Sequence, residues 1–278
     1  MKLVIKIGWA SLEQELTLAK LVRALSQLLL DQHQILLVHG GARALRYSES
    51  CPRCDAASLH ALPPTQEDLI ILSNQIGRRL VAFLGRAGVP AIGICAGDQK
   101  SFRLKTFEKC LQFNHGWPEM APVDPFWFDL ISRCGGVPVV SNIAPALDLC
   151  YRYLCADQLA SACAIGWSAD ALIFLTAADG IADGNGAVMR WLDAHDIAAF
   201  IKSPAVSPAM VVKLVAAQDA LNRGVRRVRI LPLAQVQSLS AFYFERIDHG
   251  TEIFCHASRA SGSNGPDIPE LKMAFQGE

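Results

Sequence analysis

The sequence lacks any apolar run approaching the ~20 residues that a helix needs to span a bilayer. The leucines at 28–30 are followed at once by the polar residues at 31–34. The first five residues are too short an apolar stretch for a secretory signal and lead into no small-residue cleavage site. We therefore expect a cytoplasmic protein with no membrane partner.

An excess of charge of one sign is also missing. The 26 Lys and Arg residues equal the 26 Asp and Glu residues, so the formal net charge is zero. Without an overall field, the protein is not drawn to nucleic acid or to an anionic surface. We expect a small metabolite as its partner and no nucleic acid.

Charged residues are scarce, at 19% of the chain, whereas hydrophobic residues make up 51% and the mean hydropathy is +0.25. This balance excludes a disordered chain. It favours strands that are buried on both faces. The 278 residues suffice for a sizeable core, in one large α/β domain or in two lobes.

The nine cysteines include a single Cys-x-x-Cys pair, Cys51 and Cys54. A structural zinc site needs more ligands than this pair supplies, so His60 and a distant cysteine would have to complete it. Most other cysteines lie in apolar segments, as Cys163 does, and we interpret them as small buried residues. We expect a plain turn with two thiols and no metal site, with zinc binding as the alternative.

Strand-like and helix-like segments alternate along the chain. The pattern predicts strands at 2–7, 35–38, 89–95, 136–140, 171–175, 227–231 and 252–254, and helices at 16–30, 65–84, 125–134, 156–166, 191–200 and 208–222. Thr65 and Asp68 have the spacing of a capping box at one helix start. The alternation predicts an α/β protein in which an open, mainly parallel central sheet is covered by helices on both faces.

A change of character near Asp170 suggests two lobes on one continuous sheet. We expect residues 1–168 to bind the acceptor substrate and residues 169–257 to bind the nucleotide. Residues 258–278 have the composition of a flexible tail.

Two of the predicted strands end in glycine turns. Lys6-Ile7-Gly8 closes the first strand, and His39-Gly40-Gly41 closes the second. In open α/β sheets, ligands bind at the carboxyl ends of the strands, where backbone N–H groups and an ammonium can hold phosphate oxygens. The pair of turns therefore predicts phosphate chemistry. We interpret His39 as a structural histidine that fixes its turn, in preference to an acid or base.

Polar residues follow other predicted strands in the same way. Ser141-Asn142 follows one strand and Thr176-Ala177-Ala178-Asp179-Gly180 follows another, while Asp157 and Lys213 lie near helix starts. Two lysines held by a buried aspartate suit phosphoryl transfer, because they stabilise the charge that spreads over the transferring group. Asp157 also suits the cap of its helix, and the two roles are compatible.

These segments, in this order, resemble the motifs of the amino acid kinase family, and within it those of the acetylglutamate kinases. The family has Lys-(Leu/Ile)-Gly-Gly, His-Gly-Gly-Gly, Asn-x-Asn-Ala-Asp, Thr-Asp-x-x-Gly, Gly-Met-x-x-Lys and a closing Gly-Thr turn. The counterparts here begin at Lys6, His39, Tyr153, Thr176, Ala209 and Gly250. The resemblance implies a three-layer αβα sandwich, ATP and Mg²⁺ as cofactors, a small-molecule carboxylate acceptor and a homodimer built on the first lobe.

The resemblance also implies roles for individual residues. Lys6 and Lys213 would bind the transferring phosphoryl group, and Asp157 would orient both lysines. The nucleotide-binding residues would be Gly8, Thr176, Ala177, Asp179, Gly180, Ile181, Ala205, Val206, Ser207 and Met210. The acceptor-binding residues would be Gly40, Gly41, Ala42, His60, Asn142, Tyr153 and Cys155.

The sequence departs from the family pattern mainly around the acceptor. Tyr153 and Cys155 stand where the family has two asparagines, and residues 59–61 include no arginine where acetylglutamate kinases have one for the acceptor carboxylate. Ala177 replaces the aspartate of the nucleotide turn. Trp9 and Ala42 each replace a glycine.

We expect an ATP-dependent kinase that converts a carboxylate of an N-acylated amino acid to an acyl phosphate. The substitutions leave two alternatives open. One is a catalytically impaired protein of the same fold that binds a nucleotide or metabolite and acts as a regulator. The other is a kinase of the same fold that acts on a different acceptor.

Overall fold

The computed structural model of the chain describes residues 1–8, 15–40, 65–96, 123–145, 151–183, 185–202, 206–243 and 249–255. Several residues singled out in the sequence lie outside these ranges, namely Trp9, Gly41, Ala42, Cys51, Cys54, His60 and Ala205, as does the predicted tail.

The described residues form helices and strands in alternation. The strands are β1 (Lys2–Ile7), β2 (Gln34–His39), β3 (Ala91–Cys95), β4 (Val137–Ser141), β5 (Ile143–Pro145), β6 (Tyr151–Tyr153), β7 (Ala171–Thr176), β8 (Ile181–Ala182), β9 (Val188–Met189), β10 (Trp191–Asp193), β11 (Arg227–Pro232) and β12 (Thr251–Phe254). The helices are α1 (Glu15–Leu30), α2 (Gln66–Arg86), α3 (Phe126–Arg133), α4 (Ala156–Gly166), α5 (Ile197–Lys202) and α6 (Pro208–Asn222). Two 3₁₀ segments, Ala194–Asp196 and Leu233–Tyr243, complete them.

The central sheet has eight strands in the order β10-β12-β11-β7-β1-β2-β4-β3. Neighbouring strands run parallel throughout, except that β11 and β12 are antiparallel. The predicted α/β class with a mainly parallel sheet is therefore confirmed. The predicted lobe boundary after residue 168 falls between β1 and β7, at the middle of the sheet, and the roles of the two lobes remain predictions.

Helices cover both faces of the sheet. On one face, α1, α2 and the segment Leu233–Tyr243 pack against alternate strand residues such as Leu3 and Ile5. On the other face, α3, α4 and α6 pack against the intervening residues, including Val4. Because successive side chains of a strand point to opposite faces, the continuous apolar strands supply both cores. The predicted three-layer αβα sandwich is confirmed.

Helix starts follow the local signals in the sequence. Thr65 caps α2 with a full capping box, since its hydroxyl accepts from the Asp68 N–H at 3.1 Å and its own N–H donates to Asp68 Oδ2 at 3.0 Å. Ser207 caps α6, accepting from the Met210 N–H at 3.3 Å, and Pro208 follows it. The predicted bounds of α4 and α6 agree with the structure. For α6 the cap is a local signal that lies within the segment itself.

The helix predicted at 191–200 is wrong in its first part. Trp191–Asp193 is strand β10, and it pairs in parallel with β12 from much later in the chain. The Leu192 side chain is buried in the core, at 2% exposure. Helix α5 begins only at Ile197. Pairing with a distant strand overrides the local helical spacing here. Among the described helices, none has the length and hydropathy required to cross a membrane.

Candidate phosphoryl-transfer site

Lys6, Asp157 and Lys213 come together in the folded chain, and we call these three residues the clamp. Lys6 Nζ lies 2.9 Å from Asp157 Oδ1, and Lys213 Nζ lies 3.2 Å from Asp157 Oδ2. The three residues are buried at 8%, 7% and 8% exposure. One carboxylate thus faces an ammonium on each of its oxygens, and the catalytic roles of the three residues stay predictions.

Each member of the clamp comes from a different element. Lys6 is the next-to-last residue of β1, Asp157 is in the first turn of α4, and Lys213 lies on α6. Helices α4 and α6 pack against each other through small residues, including Ala160, Ala164, Ala217 and Ala220. Small side chains let helix axes approach closely, so the ammonium of Lys213 reaches the start of α4.

Electrostatics keep the clamp ionised. Burial by itself would raise the pKa of Asp157, but the neighbouring Lys6 and Lys213 ammonium groups outweigh it and hold that pKa below its usual value. Burial lowers the pKa of Lys213, and the Asp157 carboxylate opposes this. With two cations and one anion, the clamp carries a net positive charge in a largely water-excluded place. Such a group is suited to hold an anion.

The clamp lies at the carboxyl edge of the parallel strands. Ile7 aligns with His39 on β2 and with Leu175 on β7, and His39 aligns with Ser141 on β4. One edge of the sheet therefore carries Gly8, Gly40 and Asn142, which follow β1, β2 and β4, and Thr176, the last residue of β7. Ligands of open α/β sheets bind at this edge.

The turn after β7 is held in place by Thr251. The Thr251 hydroxyl accepts from the Ile181 N–H at 2.9 Å and donates to the Met189 carbonyl at 2.6 Å. Gly180 has a φ of 149°, and a Cβ there would lie 2.8 Å from the same hydroxyl, so only glycine fits. Ala177, Ala178 and Asp179 are exposed beyond this anchor. The sequence motif Gly250-Thr251 was the signal for Thr251, but its role in fixing the turn was not predicted.

The other predicted nucleotide residues lie near the start of α6. Val206 precedes the N-cap residue Ser207, whose hydroxyl accepts from the Met210 N–H. The Met210 side chain packs against the core. The backbone N–H groups at a helix N-terminus favour an anionic ligand.

The predicted acceptor residues that the structure describes have different surroundings. The Asn142 side chain is fully buried and bonds to Ser73 and Leu154, so its contact with an acceptor stays a prediction. Cys155 is the N-cap residue of α4 and makes no side-chain cap bond. Burial, together with the nearby Asp157 carboxylate, raises the pKa of the Cys155 thiol and keeps it protonated. Tyr153 packs beside the core on the α2 face.

His39 is fully buried and uncharged. Burial lowers its pKa to about 4, and among the described residues neither ring nitrogen has a hydrogen-bond partner. Gly77 of α2 makes room for it, since a Cβ there would lie 2.8 Å from His39 Nε2. His39, Ser141 and Cys95 border a cavity of about 480 Å³ between α2 and the sheet. The ring makes no hydrogen bond to the glycine turn among the described residues, so the structural role of His39 stays a prediction.

No group of three or more His, Cys, Asp or Glu residues suited to a metal ion occurs within the described ranges. The alternative of a zinc site at Cys51, Cys54 and His60 falls outside those ranges.

Comparison with known proteins matches both the sequence and the fold. The model of the amino acid kinase family matches residues 1–232. Acetylglutamate kinases from Acidobacterium capsulatum and Koribacter versatilis are 36% and 34% identical to this chain, each over 91% of it, and the matches cover 99% and 98% of those proteins.

Two solved structures show the same fold at low identity. N-acetylglutamate synthase from Neisseria gonorrhoeae superposes with a TM-score of 0.73 at 22% identity over 91% of this chain, which spans 59% of the length of that synthase. Giardia carbamate kinase superposes with a TM-score of 0.62 at 13% identity over 91% of this chain and 98% of its own. From the matching family model and the curated relatives, the chain belongs to the amino acid kinase family.

Proposed function

We propose that the chain is an ATP-dependent kinase that phosphorylates a carboxylate of an N-acylated amino acid to an acyl phosphate. The observation that carries the proposal is the buried clamp, in which each oxygen of Asp157 forms an ion pair with a lysine. The relatives named acetylglutamate kinase support it at 36% and 34% identity.

The proposed reaction needs little covalent help from the protein. A carboxylic acid with an ordinary pKa of about 4 is already ionised near pH 7, so the nucleophile requires no general base. One acceptor oxygen forms a bond to the γ-phosphorus while the bond from that phosphorus to the bridging β,γ-oxygen breaks, and ADP leaves. The main barrier is the repulsion between an anionic nucleophile and an anionic phosphate.

The clamp meets this barrier with fixed positive charge. Asp157 holds the two ammonium groups in place before the reaction, so no reorganisation is needed as charge spreads over the transferring group. Lysine suits this task, because its ammonium has further N–H donors left after bonding to Asp157. We assign Lys6 and Lys213 to the phosphoryl group and Asp157 to their orientation.

ATP is proposed to lie over the turn that Thr251 anchors and at the N-terminus of α6. Mg²⁺ keeps several waters and is commonly held through substrate phosphates, where it neutralises part of their charge. Asp157 faces a lysine on each oxygen, and the described residues supply no acidic cage. These residues fit a Mg²⁺ ion that arrives bound to ATP.

The proposal includes a homodimer built on the first lobe and a cytoplasmic location, where ATP is available. The outermost strand of that lobe, β3, pairs only with β4 among the described strands, and its Ile92 is 51% exposed. Ile71 on the adjacent helix α2 is 58% exposed. An edge strand with no second neighbour among the described strands, next to apolar side chains, favours a second copy as partner. Sedimentation of the wild-type chain and of Ile92→Glu tests this, since the variant should sediment as a monomer.

Turnover tests the function directly. ADP release should be measured with ATP·Mg over a panel of N-acylated amino acids, with inorganic phosphate, carbamate and a no-acceptor reaction included. Lys213→Ala should lose activity by about a thousandfold, because a fixed charge at the transferring group disappears. Lys20→Ala removes an exposed lysine of α1 and should match the wild type.

Two outcomes would replace the proposal. Turnover confined to an acceptor other than an N-acylated amino acid would indicate a kinase of different specificity. Tyr153 and Cys155, which stand in place of the family's two asparagines, favour this alternative. Calorimetric binding of ATP·Mg without turnover on any acceptor would indicate a regulatory protein. Absence of nucleotide binding would exclude both kinase proposals.

A further inference from the structure

We propose that Asn142, with Ser73, is a positioning residue that sets the place of Asp157 by holding the chain segment that leads into α4. No residue of this pair belongs to the clamp. The effect on turnover rests on the proposed function, whereas the effect on the clamp geometry does not.

Asn142 holds Leu154 at both of its backbone groups. The Asn142 Nδ2 donates to the Leu154 carbonyl at 2.6 Å, and the Leu154 N–H donates to the Asn142 carbonyl at 2.8 Å. The remaining amide atom, Oδ1, accepts from the Ser73 hydroxyl at 2.8 Å. Asn142 and Ser73 are both 0% exposed, so water does not compete for these bonds. Buried polar networks of this kind fix one arrangement strongly when every member is satisfied.

The first turn of α4 depends on this external support. Leu154 directly precedes the N-cap residue Cys155, whose side chain makes no cap bond, and Asp157 is the second residue of the helix. Helix starts usually gain a fixed entry from a side-chain cap. In α4, the two hydrogen bonds between Asn142 and Leu154 take the role of the side-chain cap, one residue before the N-cap position.

Gly40 provides a second contact that fixes the same turn. A Cβ on Gly40 would lie 2.5 Å from the Cβ of Ala156, so the end of β2 touches the first turn of α4. The turn is thus held between the end of β2 and Asn142, which lies between β4 and β5. This arrangement sets the position of the Asp157 carboxylate relative to Lys6 on the neighbouring strand.

Asn142→Ala removes the side-chain bond to the Leu154 carbonyl and keeps the backbone bond. The entry of α4 is then held less firmly, and the ion pairs of the clamp lengthen. Displacements of about 1 Å near a reacting group can cost about a hundredfold in rate. A displaced Asp157 also attracts Lys213 less, so burial lowers the pKa of Lys213 further. A side chain that only stabilised the fold would change neither property of the folded protein.

The deciding experiment is an NMR titration of ¹³C-labelled lysine side chains, in which the Lys213→Ala spectrum assigns the Lys213 signal. The pKa of Lys213 should fall in Asn142→Ala and, by less, in Ser73→Ala, which keeps the bonds to Leu154. Thr251→Val is the matched control, since Thr251 is also 0% exposed and doubly bonded but anchors the turn after β7. Its Lys213 titration should match the wild type.

Kinetics supply the second measurement. In Asn142→Ala, kcat should fall by about ten- to a hundredfold with little change in the KM for ATP. An unchanged Lys213 titration in the Asn142 variant overturns the inference; if that variant does not fold, an unchanged titration in Ser73→Ala does so. A wild-type protein without turnover would remove the proposed function, and the titration would still decide the positioning role.

Discussion

Two ion clusters of the same charge lie within the described part of the chain, and they are built differently. The clamp gathers Lys6, Asp157 and Lys213 from three separate elements. The second cluster, which we call the sheet cluster, lies on the paired strands β11 and β12: Glu252 accepts from Arg227 Nε at 2.7 Å and lies 3.4 Å from Arg229 Nη2. Each cluster has one carboxylate between two cations.

The clamp and the sheet cluster differ in the type of cation and in their position in the fold. Arginine is always charged, and its planar fork matches a carboxylate, so the sheet cluster suits a permanent link between two strands. Lysine is a point charge with donors to spare, and it can lose its proton when its partner is removed. The clamp lies at the carboxyl edge of the strands, where a ligand can reach it. Charge count alone therefore does not distinguish a cluster suited to a structural link from one proposed to hold a phosphoryl group.

The largest expected effect is on the stability of the sheet cluster. Glu252→Gln leaves two guanidinium groups without their shared carboxylate, and Glu252 and Arg229 are each 3% exposed. We expect the free energy of unfolding to fall by about 3 to 5 kcal/mol, measured by chemical denaturation. The control Glu67→Gln, on the exposed first turn of α2, should change it by less than about 1 kcal/mol. A loss that small for Glu252→Gln would contradict a structural role.

The corresponding change in the clamp should act on rate more than on stability. Asp157→Asn keeps the shape but frees both ammonium groups, so kcat should fall by about a hundred- to a thousandfold. Its stability loss should be smaller than that of Glu252→Gln, because Lys213 can release its proton. ADP-release kinetics and denaturation of the same preparation measure both quantities. Equal stability losses in the two variants would remove the distinction between the clusters.

His39 provides a contrast, since it is buried and the described residues place no counterion beside it. Its pKa is 6.5 in the unfolded chain and about 4 in the fold, so between these values the unfolded chain binds more protons. Stability therefore falls as the pH decreases from 6.5 to 4, by roughly 3 kcal/mol in total. Asp157, with a lowered pKa, loses its contribution only at lower pH. Denaturation of His39→Asn should show a flatter pH dependence in this window.

Exchange of the cation types should give the smallest effects. Arg229→Lys should cost about 1 to 2 kcal/mol of stability, because the second contact to Glu252 weakens.

Lys213→Arg keeps the charge but puts a wider group against Asp157, so kcat should fall by about tenfold while the fold persists. If Lys213→Arg retains full kcat, charge alone suffices in the clamp.

Most elements of the fold could be predicted because their signals are local. The capping box of α2, the Ser-Pro start of α6 and the small-residue helix α4 each lie within one segment. The strand at Trp191–Asp193 could not be predicted in this way, since β12 pairs with it from a distant part of the chain. The short hairpins β5–β6 and β8–β9 were missed for a similar reason, because three or two residues carry too little periodicity.

In the candidate site, the sequence indicated which residue types matter but not how they are held. The order of motifs identified Lys6, Asp157 and Lys213 as candidates. It did not reveal that Asn142 bonds to Ser73 and Leu154, since those three residues have no motif in common. The hydrogen bond from the Ile181 N–H to the Thr251 hydroxyl could not be predicted either, because it joins residues 70 positions apart.

The sequence alone determined the α/β class, the strand ends with their glycine turns and the family, because apolar periodicity and short motifs are written in consecutive residues. Only the tertiary structure decided that two lysines share one carboxylate while two arginines share another. It also decided which polar side chains support the clamp. Burial and hydrogen bonding between distant segments set these properties, and they exist only once the sheet has brought those segments together.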